Sequence, residues 1–484
     1  MESSKLNVHE IGHIVSHYSG VIKIQGLPTV RLHEVLLDEQ GREVALVIGF
    51  DELYVEGLLF DDGVDLTISL FSSQRVFSIP VSDEYIGRIV DGFGLPIDDL
   101  SQIAGEMSSV FREAPSIIER SSVERPLISG IKIIDTALPL GRGQRELIIG
   151  DRKIGKSTLG LDIILNQKHN APPLYCIYVL CGQKTRQFEE TIKLFKNNGT
   201  FLYTVIVYAP SDSSFANQYL APFVGCAIGE YFRDQGKDAL IVYDDLTKHA
   251  KVYRSISLLL ERAPGREAYP GDIFSLHAGL LERAAQLHET KGGGSLTAIP
   301  IVETQEGDIT SFIPTNIISI TDGQIFLERG LFQKDFLPAV NVGLSVSRIG
   351  SHAQPPMLTQ VTGGIRLALA QHKELQKLTQ LETVVSKTAQ KTIFRGELIL
   401  ELLKQDKHTY LSFEEESILF YVVEQGYFDE IHITDWSSVE RHFLELLRTK
   451  HVPILHELKK DGFTDITHAL IDTFIQEFKQ QFIQ

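Results

Sequence analysis

The feature that most constrains this sequence is a glycine-rich segment between an apolar strand and a helix. Residues 150–157 read GDRKIGKS and match the pattern G-x-x-x-x-G-K-[ST] in full. Residues 147–149 before it are strand-like, and residues 159–165 after it have the composition of a helix. Such a segment turns its backbone N–H groups inward at a helix N-terminus, where they bind phosphate oxygens. A glycine turn with a purely structural role is the alternative, and the matching strand and helix disfavour it.

The motif assigns roles to individual side chains. The Lys156 ammonium is expected at the β and γ phosphates of a nucleoside triphosphate, and the Ser157 hydroxyl is expected at Mg²⁺. The nucleotide-binding residues predicted from this segment are Gly150, Asp151, Arg152, Lys153, Ile154, Gly155, Lys156, Ser157 and Thr158.

The second half of such a site is an acidic residue at the end of an apolar strand. Residues 239–243 read ALIVY and are followed by Asp244. A carboxylate there can hold the water shell of Mg²⁺. An Asp after a strand more often belongs to a turn or caps a helix. The motif at residues 150–157 favours the metal role for Asp244.

The order of elements divides the chain into three regions. Residues 1–75 hold short alternating strands broken by turns, which predicts an N-terminal β-barrel or sandwich. Residues 76–352 alternate apolar strands with amphipathic helices, which predicts an α/β nucleotide-binding domain with a mostly parallel sheet. Residues 353–484 keep leucines near helical spacing and predict a helical domain. The individual strands are predicted at residues 21–24, 43–48, 66–70, 146–149, 174–180, 204–208, 239–243 and 296–302.

Charge and cysteine content exclude other classes of protein. The 484 residues carry a formal net charge of −17, which repels phosphate backbones and predicts no nucleic-acid partner. Cys176 and Cys181 lie on opposite faces of one predicted strand, so with Cys226 they predict buried thiols rather than disulfides or a metal site. No apolar run reaches the roughly 18 residues of a membrane-spanning helix. The first ten residues show neither a secretory leader nor a transit pattern.

A zinc signature occurs near the start of the chain. Residues 9–13 read HEIGH and match H-E-x-x-H. Zinc binding through this pattern needs a helix, which brings both histidines onto one face. The surroundings are strand-like, and residues four apart on a strand are separated by about 13 Å. The segment is therefore predicted to be a barrel strand and not a zinc site.

Longer strings in the middle of the chain resemble one known family. They read GRGQRELIIGDRKIGKST at residues 141–158, CIYVLCGQK at 176–184, QYLAPFVGC at 218–226, GEYFRDQGKDALIVYDDLTK at 229–248, PGREAYPGDIF at 264–274 and NVGLSVSRIGS at 341–351. Residues 292–328 continue the similarity almost without a break. These strings are similar to those of F-type ATP synthase alpha subunits.

The resemblance implies a multidomain fold with a β-barrel crown, a central RecA-like P-loop domain and a C-terminal helical domain. It implies ATP or ADP with Mg²⁺ as ligands. The implied partners are beta subunits that alternate with alpha subunits in a ring, a central rotor gamma subunit and, indirectly, a membrane sector that transports H⁺ or Na⁺. The implied location is the cytoplasmic face of a bacterial inner membrane.

Three further site residues follow from the resemblance. Gln183 stands where catalytic subunits carry a Glu, and an amide cannot polarise water as a carboxylate does, so the site is expected to be non-catalytic. Gln405 lies in the family string ELLKQ and is an expected contact on the adenine side. Arg348 lies in the string that carries the family's arginine finger, so it is expected to be catalytic in the neighbouring beta subunit.

Several positions depart from the family pattern. Leu337 replaces an Arg and Lys407 replaces a Gln on the adenine side, so weak nucleotide binding with relaxed base preference is expected. Residues 381–386 replace an acidic loop that faces the rotor, so this contact is expected to differ. The barrel begins almost at the first residue, which predicts a variant synthase without conventional docking of a delta subunit.

Two other functions compete with this interpretation. A self-sufficient P-loop ATPase of the same fold, such as an export-system ATPase, needs a carboxylate where Gln183 stands. An RNA translocase of the related hexameric fold needs a basic barrel, whereas residues 31–65 hold ten acidic residues against two arginines and no lysine.

Overall fold

The structure of the protein is a computed structural model that describes residues 10–170, 173–379, 387–428 and 436–482. Within these residues the chain forms an N-terminal barrel, a central domain with a mixed sheet and a C-terminal helical domain, which confirms the predicted fold class. Among the helices in these residues, none combines the length and apolar character that crossing a membrane requires.

The barrel occupies residues 11–76, which the structure describes without a gap. Its strands are β1 (Ile11–Tyr18), β2 (Val21–Gln25), β3 (Glu34–Leu37), β4 (Glu43–Phe50), β5 (Val55–Leu59) and β6 (Ser69–Val76). They pair antiparallel in the order β1-β2-β5-β4-β3-β6, and β6 returns to β1. The interior is filled by aliphatic side chains, among them Ile22, Ile24, Leu36 and Val47. Closure leaves no open sheet edge.

Two predictions for the barrel have different outcomes. The strand predicted across the H-E-x-x-H segment is confirmed from Ile11 onward, while His9 lies outside the described residues. The strand predicted at residues 66–70 was wrong in position, because β6 begins at Ser69. Asp65 Oδ1 accepts hydrogen bonds from the N–H and the hydroxyl of Thr67, at 3.0 and 2.8 Å. This turn chemistry delays the start of the strand.

Short elements connect the barrel to the main sheet. They are β7 (Ser78–Val81), β8 (Ile89–Val90), β9 (Glu106–Ser109), β10 (Pro126–Leu127), α1 (Lys132–Ala137) and β11 (Leu140–Gly141). β7 pairs with β9 and β10 pairs with β11, whereas β8 joins the edge of the main sheet.

The central domain follows the predicted alternation of strands and helices. Its elements are β12 (Leu147–Asp151), α2 (Lys156–Asn166), β13 (Tyr175–Gln183), α3 (Thr185–Asn198), β14 (Thr204–Pro210), α4 (Phe215–Asp234), β15 (Asp238–Asp244), α5 (Leu246–Leu259), α6 (Ile273–Leu281), β16 (Ala285–Gln286), β17 (Ser295–Thr304), α7 (Phe312–Ile320), β18 (Gly323–Leu327), α8 (Arg329–Phe332) and β19 (Val346–Ser347). The strands predicted between residues 146 and 302 are confirmed, and each extends slightly further at its carboxyl end. The three cysteines are buried and free, as predicted.

The main sheet runs in the order β19-β18-β12-β17-β15-β13-β14-β8, and β16 pairs with β17. Neighbours from β18 to β8 are parallel, whereas β19 and β16 are antiparallel to their partners. Parallel strands end at the same edge of a sheet, so β12, β13, β15 and β17 present their carboxyl ends together. This edge is where open α/β sheets bind ligands.

A buried ion pair stabilises the central domain. Arg283 Nε donates to Glu230 Oε1 at 3.0 Å, and a second guanidinium nitrogen donates to the other carboxylate oxygen. The side chains are 1% and 0% exposed. Arg283 also donates to the main-chain oxygen of Val110 at 2.7 Å. The guanidinium therefore joins α4 to the segment after β9.

The described residues of the C-terminal domain form helices joined by short connecting segments. Its helices are α9 (Pro356–Thr362), α10 (Ile365–Thr379), α11 (Lys387–Leu403), α12 (Phe413–Glu424), α13 (Trp436–Thr449), α14 (Val452–Asp461) and α15 (Asp465–Phe482). Aromatic side chains form much of its core, with Phe428, Phe443, Phe474 and Phe478 fully buried. A partly buried ion pair between Lys132 of α1 and Glu440 of α13 joins this core to the central domain.

Candidate functional site

The phosphate loop, residues 150–157, joins β12 to α2 at the carboxyl edge of the sheet. Gly155 has a φ of +102°, a left-handed conformation that favours glycine, and α2 begins at the next residue. The Lys156 ammonium folds back and donates to the main-chain oxygen of Asp151 at 2.6 Å. Burial lowers the pKa of Lys156, while nearby carboxylates oppose that shift. The loop thus presents a buried cation at a helix N-terminus, an arrangement suited to phosphate.

Three of the predicted loop residues shape the loop and do not line the cleft in the described structure. Asp151 Oδ1 accepts from the Thr304 hydroxyl at 2.7 Å and fixes the end of β12 against β17. Ile154 is 3% exposed and packs into the core. Gly150 passes so close to β18 that an added Cβ would meet a main-chain oxygen there at 2.6 Å.

A cleft of about 980 Å³ opens beside the loop. The predicted site residues that line it are Arg152, Lys153, Gly155, Lys156, Ser157, Thr158, Gln183 and Asp244. The structure therefore brings the phosphate loop together with the ends of β13 and β15. The lining also includes Lys407 and His408, from the segment between α11 and α12.

Asp244 is the centre of a buried polar network. It is 1% exposed, and its Oδ2 accepts from the Tyr178 hydroxyl at 2.7 Å. Its Oδ1 accepts from Gln183 Nε2 at 2.7 Å, and Gln183 Oε1 accepts in turn from Lys248 Nζ. Burial, with the charge of Asp244 adding to it, raises the pKa of Tyr178 well above its usual range. Tyr178 therefore remains a donor, and both ends of the Gln183 amide are occupied.

The neighbouring Asp245 caps a helix. Its Oδ1 accepts from the Lys248 N–H at 2.8 Å at the start of α5, and its Oδ2 lies 3.5 Å from Lys248 Nζ. Burial raises the pKa of Asp245 to about 6, although Lys248 opposes the shift. The cap role that the sequence left open for Asp244 therefore belongs to Asp245, which leaves Asp244 directed at Gln183.

Sequence reasoning missed Tyr178, Lys248 and a pair formed by His408 and Asp162. His408 Nδ1 lies 2.6 Å from Asp162 Oδ1, and the His408 N–H donates to the same oxygen at 3.1 Å. This pair attaches the segment after α11 to α2, and of the two residues His408 lines the cleft. A hydroxyl in an otherwise apolar buried strand was the available sequence signal for Tyr178.

Gln405 is hydrogen-bonded to main-chain groups of two distant segments. Its Nε2 donates to the Gly130 oxygen at 2.7 Å, and its Oε1 accepts from the Lys132 N–H at 2.8 Å. Its own N–H donates to the Leu337 oxygen at 2.8 Å. The described walls of the cleft include neither Gln405 nor Leu337. Gln405 thus holds the segment from which Lys407 reaches the cleft.

Arg348 is not brought to the phosphate loop. It follows β19 and lines a separate pocket of about 480 Å³, together with Arg145, Asp322 and His352. Its N–H donates to the Asp322 main-chain oxygen at 2.9 Å. The side chain is exposed, and no carboxylate of the described residues lies within ion-pair distance of its guanidinium.

Comparison with known proteins identifies the family. The model of the ATP synthase alpha/beta family, nucleotide-binding domain, matches residues 130–347, and that of the ATP synthase alpha/beta chain, C terminal domain, matches residues 354–478. ATP synthase subunit alpha of Ehrlichia ruminantium (strain Gardel) is 44% identical over 98% of this chain and 95% of its own length. The proteins of the same name from Neorickettsia sennetsu and Helicobacter acinonychis are 45% and 44% identical, over 93% and 97% of this chain and 90% and 94% of their own lengths. The chain therefore belongs to the ATP synthase alpha/beta family, within the group of F-type alpha subunits that its sequence resembles.

Proposed function

We propose that this chain is the non-catalytic, nucleotide-binding alpha-type subunit of a rotary ATP synthase. Its own cleft holds ATP or ADP with Mg²⁺ without turning the nucleotide over, and Arg348 acts in the site of the neighbouring beta subunit. The complex couples ATP synthesis or hydrolysis to the transport of H⁺ or Na⁺. The observation that carries the proposal is the neutral, fully hydrogen-bonded amide of Gln183 at the cleft.

Hydrolysis of a phosphoanhydride needs a group that orients or deprotonates the attacking water. The Gln183 amide has no useful basicity, and its nitrogen and oxygen are engaged by Asp244 and Lys248. A water molecule at the γ-phosphate would find no free base on this residue. The network therefore supports binding without turnover and speaks against a self-sufficient ATPase.

Mg²⁺ fits the donor set of the cleft. It prefers oxygen ligands, keeps several waters and takes further oxygens from phosphates. The Ser157 hydroxyl and the Asp244 carboxylate both line the cleft and supply oxygen. We assign Ser157 as a direct ligand and Asp244 as a ligand through water. When bound, the ion neutralises charge between the phosphates and Asp244.

The phosphate groups dominate binding in this proposal. Arg152, Lys153, Lys156 and the loop N–H groups make charge-assisted contacts, which are stronger than neutral ones. Gln405 acts indirectly, since it holds the segment that carries Lys407. Because the cleft is lined by Lys407 and not by Gln405, weak preference between purine bases is expected.

The exposure of Arg348 supports a role outside its own chain. A guanidinium offers five N–H donors in a planar fork that matches phosphoryl oxygens. The proposed partners are beta subunits alternating with this chain in a ring, the rotor gamma subunit and, indirectly, the ion-translocating membrane sector, with no nucleic acid. The proposed location is the cytoplasmic face of a bacterial inner membrane. The proposed domain limits are residues 1–75, 76–352 and 353–484.

The test compares binding and turnover in the full-length chain and in the assembled complex. Calorimetry with Mg·ATP is expected to show one site, lost in Lys156→Gln and retained in Lys404→Gln. Lys404 is a matched control because it pairs with Glu401 and lies outside the described cleft walls. ATP and GTP are expected to bind with similar affinity, and turnover is expected only after assembly with beta subunits. Steady-state hydrolysis by the isolated chain, abolished by Lys156→Gln, would instead identify a self-sufficient ATPase.

A further inference from the structure

A buried carboxyl group without a full set of partners lies near the strand that immediately precedes Arg348. Glu146 immediately precedes β12 and is 0% exposed. Gln144 Nε2 donates to its Oε2 at 2.6 Å, whereas Oε1 is buried and has no hydrogen-bond partner among the described residues. Buried polar atoms without partners are rare in folded proteins, so this oxygen needs an explanation.

The carboxyl group lies against the junction of β18 and β19. Gly323 begins β18 and pairs with Ser347 of β19. A Cβ at Gly323 would lie 2.5 Å from Glu146 Oε2 and 2.9 Å from Oε1, so the carboxyl reaches this point only because Gly323 lacks a side chain. Arg348 is the residue after Ser347. Glu146 therefore supports the strand pair from which the guanidinium extends.

Arg145 holds the other side of the same junction. Its Nε and a terminal guanidinium nitrogen donate to the Asp322 carboxylate at 3.0 and 2.8 Å, and its main-chain N–H donates to that group at 3.0 Å. Asp322 in turn accepts the Arg348 N–H through its main-chain oxygen at 2.9 Å. The consecutive residues Arg145 and Glu146 thus fix the consecutive residues Asp322 and Gly323, and with them the backbone of Arg348.

Two guanidinium groups act electrostatically on Glu146. Arg366 donates to the Ser345 main-chain oxygen at 2.8 Å, whereas Arg348 has no carboxylate partner in the described part of the chain. Burial raises the pKa of Glu146 well above its usual range and the Asp322 charge adds to this, while both arginines oppose the shift. An acceptor without a donor and a guanidinium without an acceptor therefore lie beside the same strand pair.

We propose that Glu146 is a positioning residue for Arg348: in the assembled complex its Oε1 accepts one N–H edge of the guanidinium and directs the remaining donors at the neighbouring subunit. The proposal rests on the proposed role of Arg348. Assembly removes water from the guanidinium, and in a drier environment a hydrogen bond to a carboxylate strengthens. Holding one N–H edge of the planar guanidinium fixes the plane in which its remaining N–H donors lie. Orientation matters because a displacement of about 1 Å at a reacting group can cost about 10²-fold in rate.

The test is a double-mutant cycle in the complex assembled with beta and rotor subunits. Glu146→Gln preserves size but cannot become the carboxylate that accepts the guanidinium, and it is expected to lower kcat by about 10- to 100-fold, the scale found for partners that orient a functional group. The KM for Mg·ATP and the thermal midpoint of the isolated chain are expected to change little. Because Glu146 acts through Arg348, adding Glu146→Gln to Arg348→Lys is expected to lower kcat no further.

Glu416→Gln is the matched control. Glu416 on α12 is also 0% exposed, and neither carboxyl oxygen has a partner in the described structure, but it lies in the helical domain. Its kcat is expected to equal that of the wild type, and Glu146→Asp is expected to retain part of the turnover lost in Glu146→Gln. A kcat for Glu146→Gln within about twofold of the wild type, or an equal further loss in the Arg348→Lys background, overturns the inference. Full turnover in Arg348→Lys alone overturns the finger role instead, so the two failures are distinguishable.

Discussion

Replacing Gln183 with Glu tests whether the buried network requires a neutral amide. Gln183 and Asp244 are 5% and 1% exposed, and the amide donates to the carboxylate at 2.7 Å. The substitution puts a second carboxylate against the first. Two unit charges about 4 Å apart, at an effective dielectric constant of about 20, repel by about 4 kcal/mol. Lys248 offsets part of this, since its ammonium already contacts the Gln183 oxygen.

Proton uptake sets an independent limit on how far Gln183→Glu can lower the free energy of unfolding. The introduced carboxyl can take a proton and donate to Asp244 in place of the amide. Keeping that proton at pH 7, against an ordinary Glu pKa of about 4.3, costs about 3.7 kcal/mol. We therefore expect Gln183→Glu to lower the free energy of unfolding by about 2–4 kcal/mol at pH 7, the lower value reflecting Lys248. The folded-state pKa of the new group is raised, so the loss is present above a pH of about 4.3 and shrinks as the pH falls, by about 1.4 kcal/mol per unit.

The assay is thermal unfolding of the isolated chain without divalent cations, at several pH values between about 5 and 7. The deficit of Gln183→Glu relative to the wild type is expected to grow with pH. Gln187→Glu is the control, because Gln187 lines the same cleft but is half-buried and has no carboxylate hydrogen bond in the described structure. Isolated-chain turnover is expected to stay absent, since Asp244 and Lys248 engage the new carboxyl. An equal deficit at all pH values, or none, would refute the reasoning.

Three further predictions concern other parts of the chain. Arg348→Lys in the assembled complex is expected to lower turnover by about 10³-fold or more while assembly and calorimetric Mg·ATP binding persist; near-normal steady-state hydrolysis would contradict the finger role. Glu230→Gln leaves the buried Arg283 without its main counter-charge, so it is expected to lower the free energy of unfolding by about 3–5 kcal/mol and with it the thermal midpoint. The control is Glu190→Gln at an exposed ion pair, which is expected to change the free energy of unfolding by less than about 1 kcal/mol. Equal midpoints for these two variants would count against the argument. Burial raises the pKa of Asp135 to about 7, so the folded state keeps a proton that the unfolded chain releases. The free energy of unfolding is therefore expected to fall as the pH rises from about 4 to about 7. Asp135→Asn is expected to remove that slope, and parallel curves for the two proteins would show the assignment to be wrong.

The central fold was predictable because its signals are local. An apolar strand, a glycine-rich turn and a helix in direct succession determine the phosphate loop, and the five predicted strands of the central domain are apolar runs with clear ends. The parallel strands β8 and β18 were not predicted. The Asp244 network was not predictable in the same way. It depends on the register of β13 and β15, in which Leu180 pairs with Asp244 and so places Tyr178 and Gln183 near one carboxylate. No local pattern encodes that register.

The segment that carries Lys407 shows a second limit of prediction from sequence. Gln405 and Lys407 are two residues apart, and which of them enters the cleft depends on a tight turn in which His408 has a φ of +61°. Hydrogen bonds to distant residues, Gly130 and Asp162, hold that turn. The predicted rotor-facing segment at residues 381–386 lies outside the described residues, so it stays a prediction. The expected absence of delta-subunit docking also stays a prediction.

The contact between His408 and Asp162 joins the helical domain to the central domain beside the cleft. Part of its lining belongs to α2 of the central domain, and part belongs to the segment between α11 and α12 of the helical domain. Ligand binding in the cleft and the orientation of the helical domain are therefore coupled. Such coupling is reciprocal: each equilibrium shifts the other by the same free energy. A ligand that fits one orientation better raises the population of that orientation by the same factor by which the orientation raises its affinity. Under the proposed function, a nucleotide that is held in this cleft without hydrolysis acts in this way as an effector of the orientation of the helical domain.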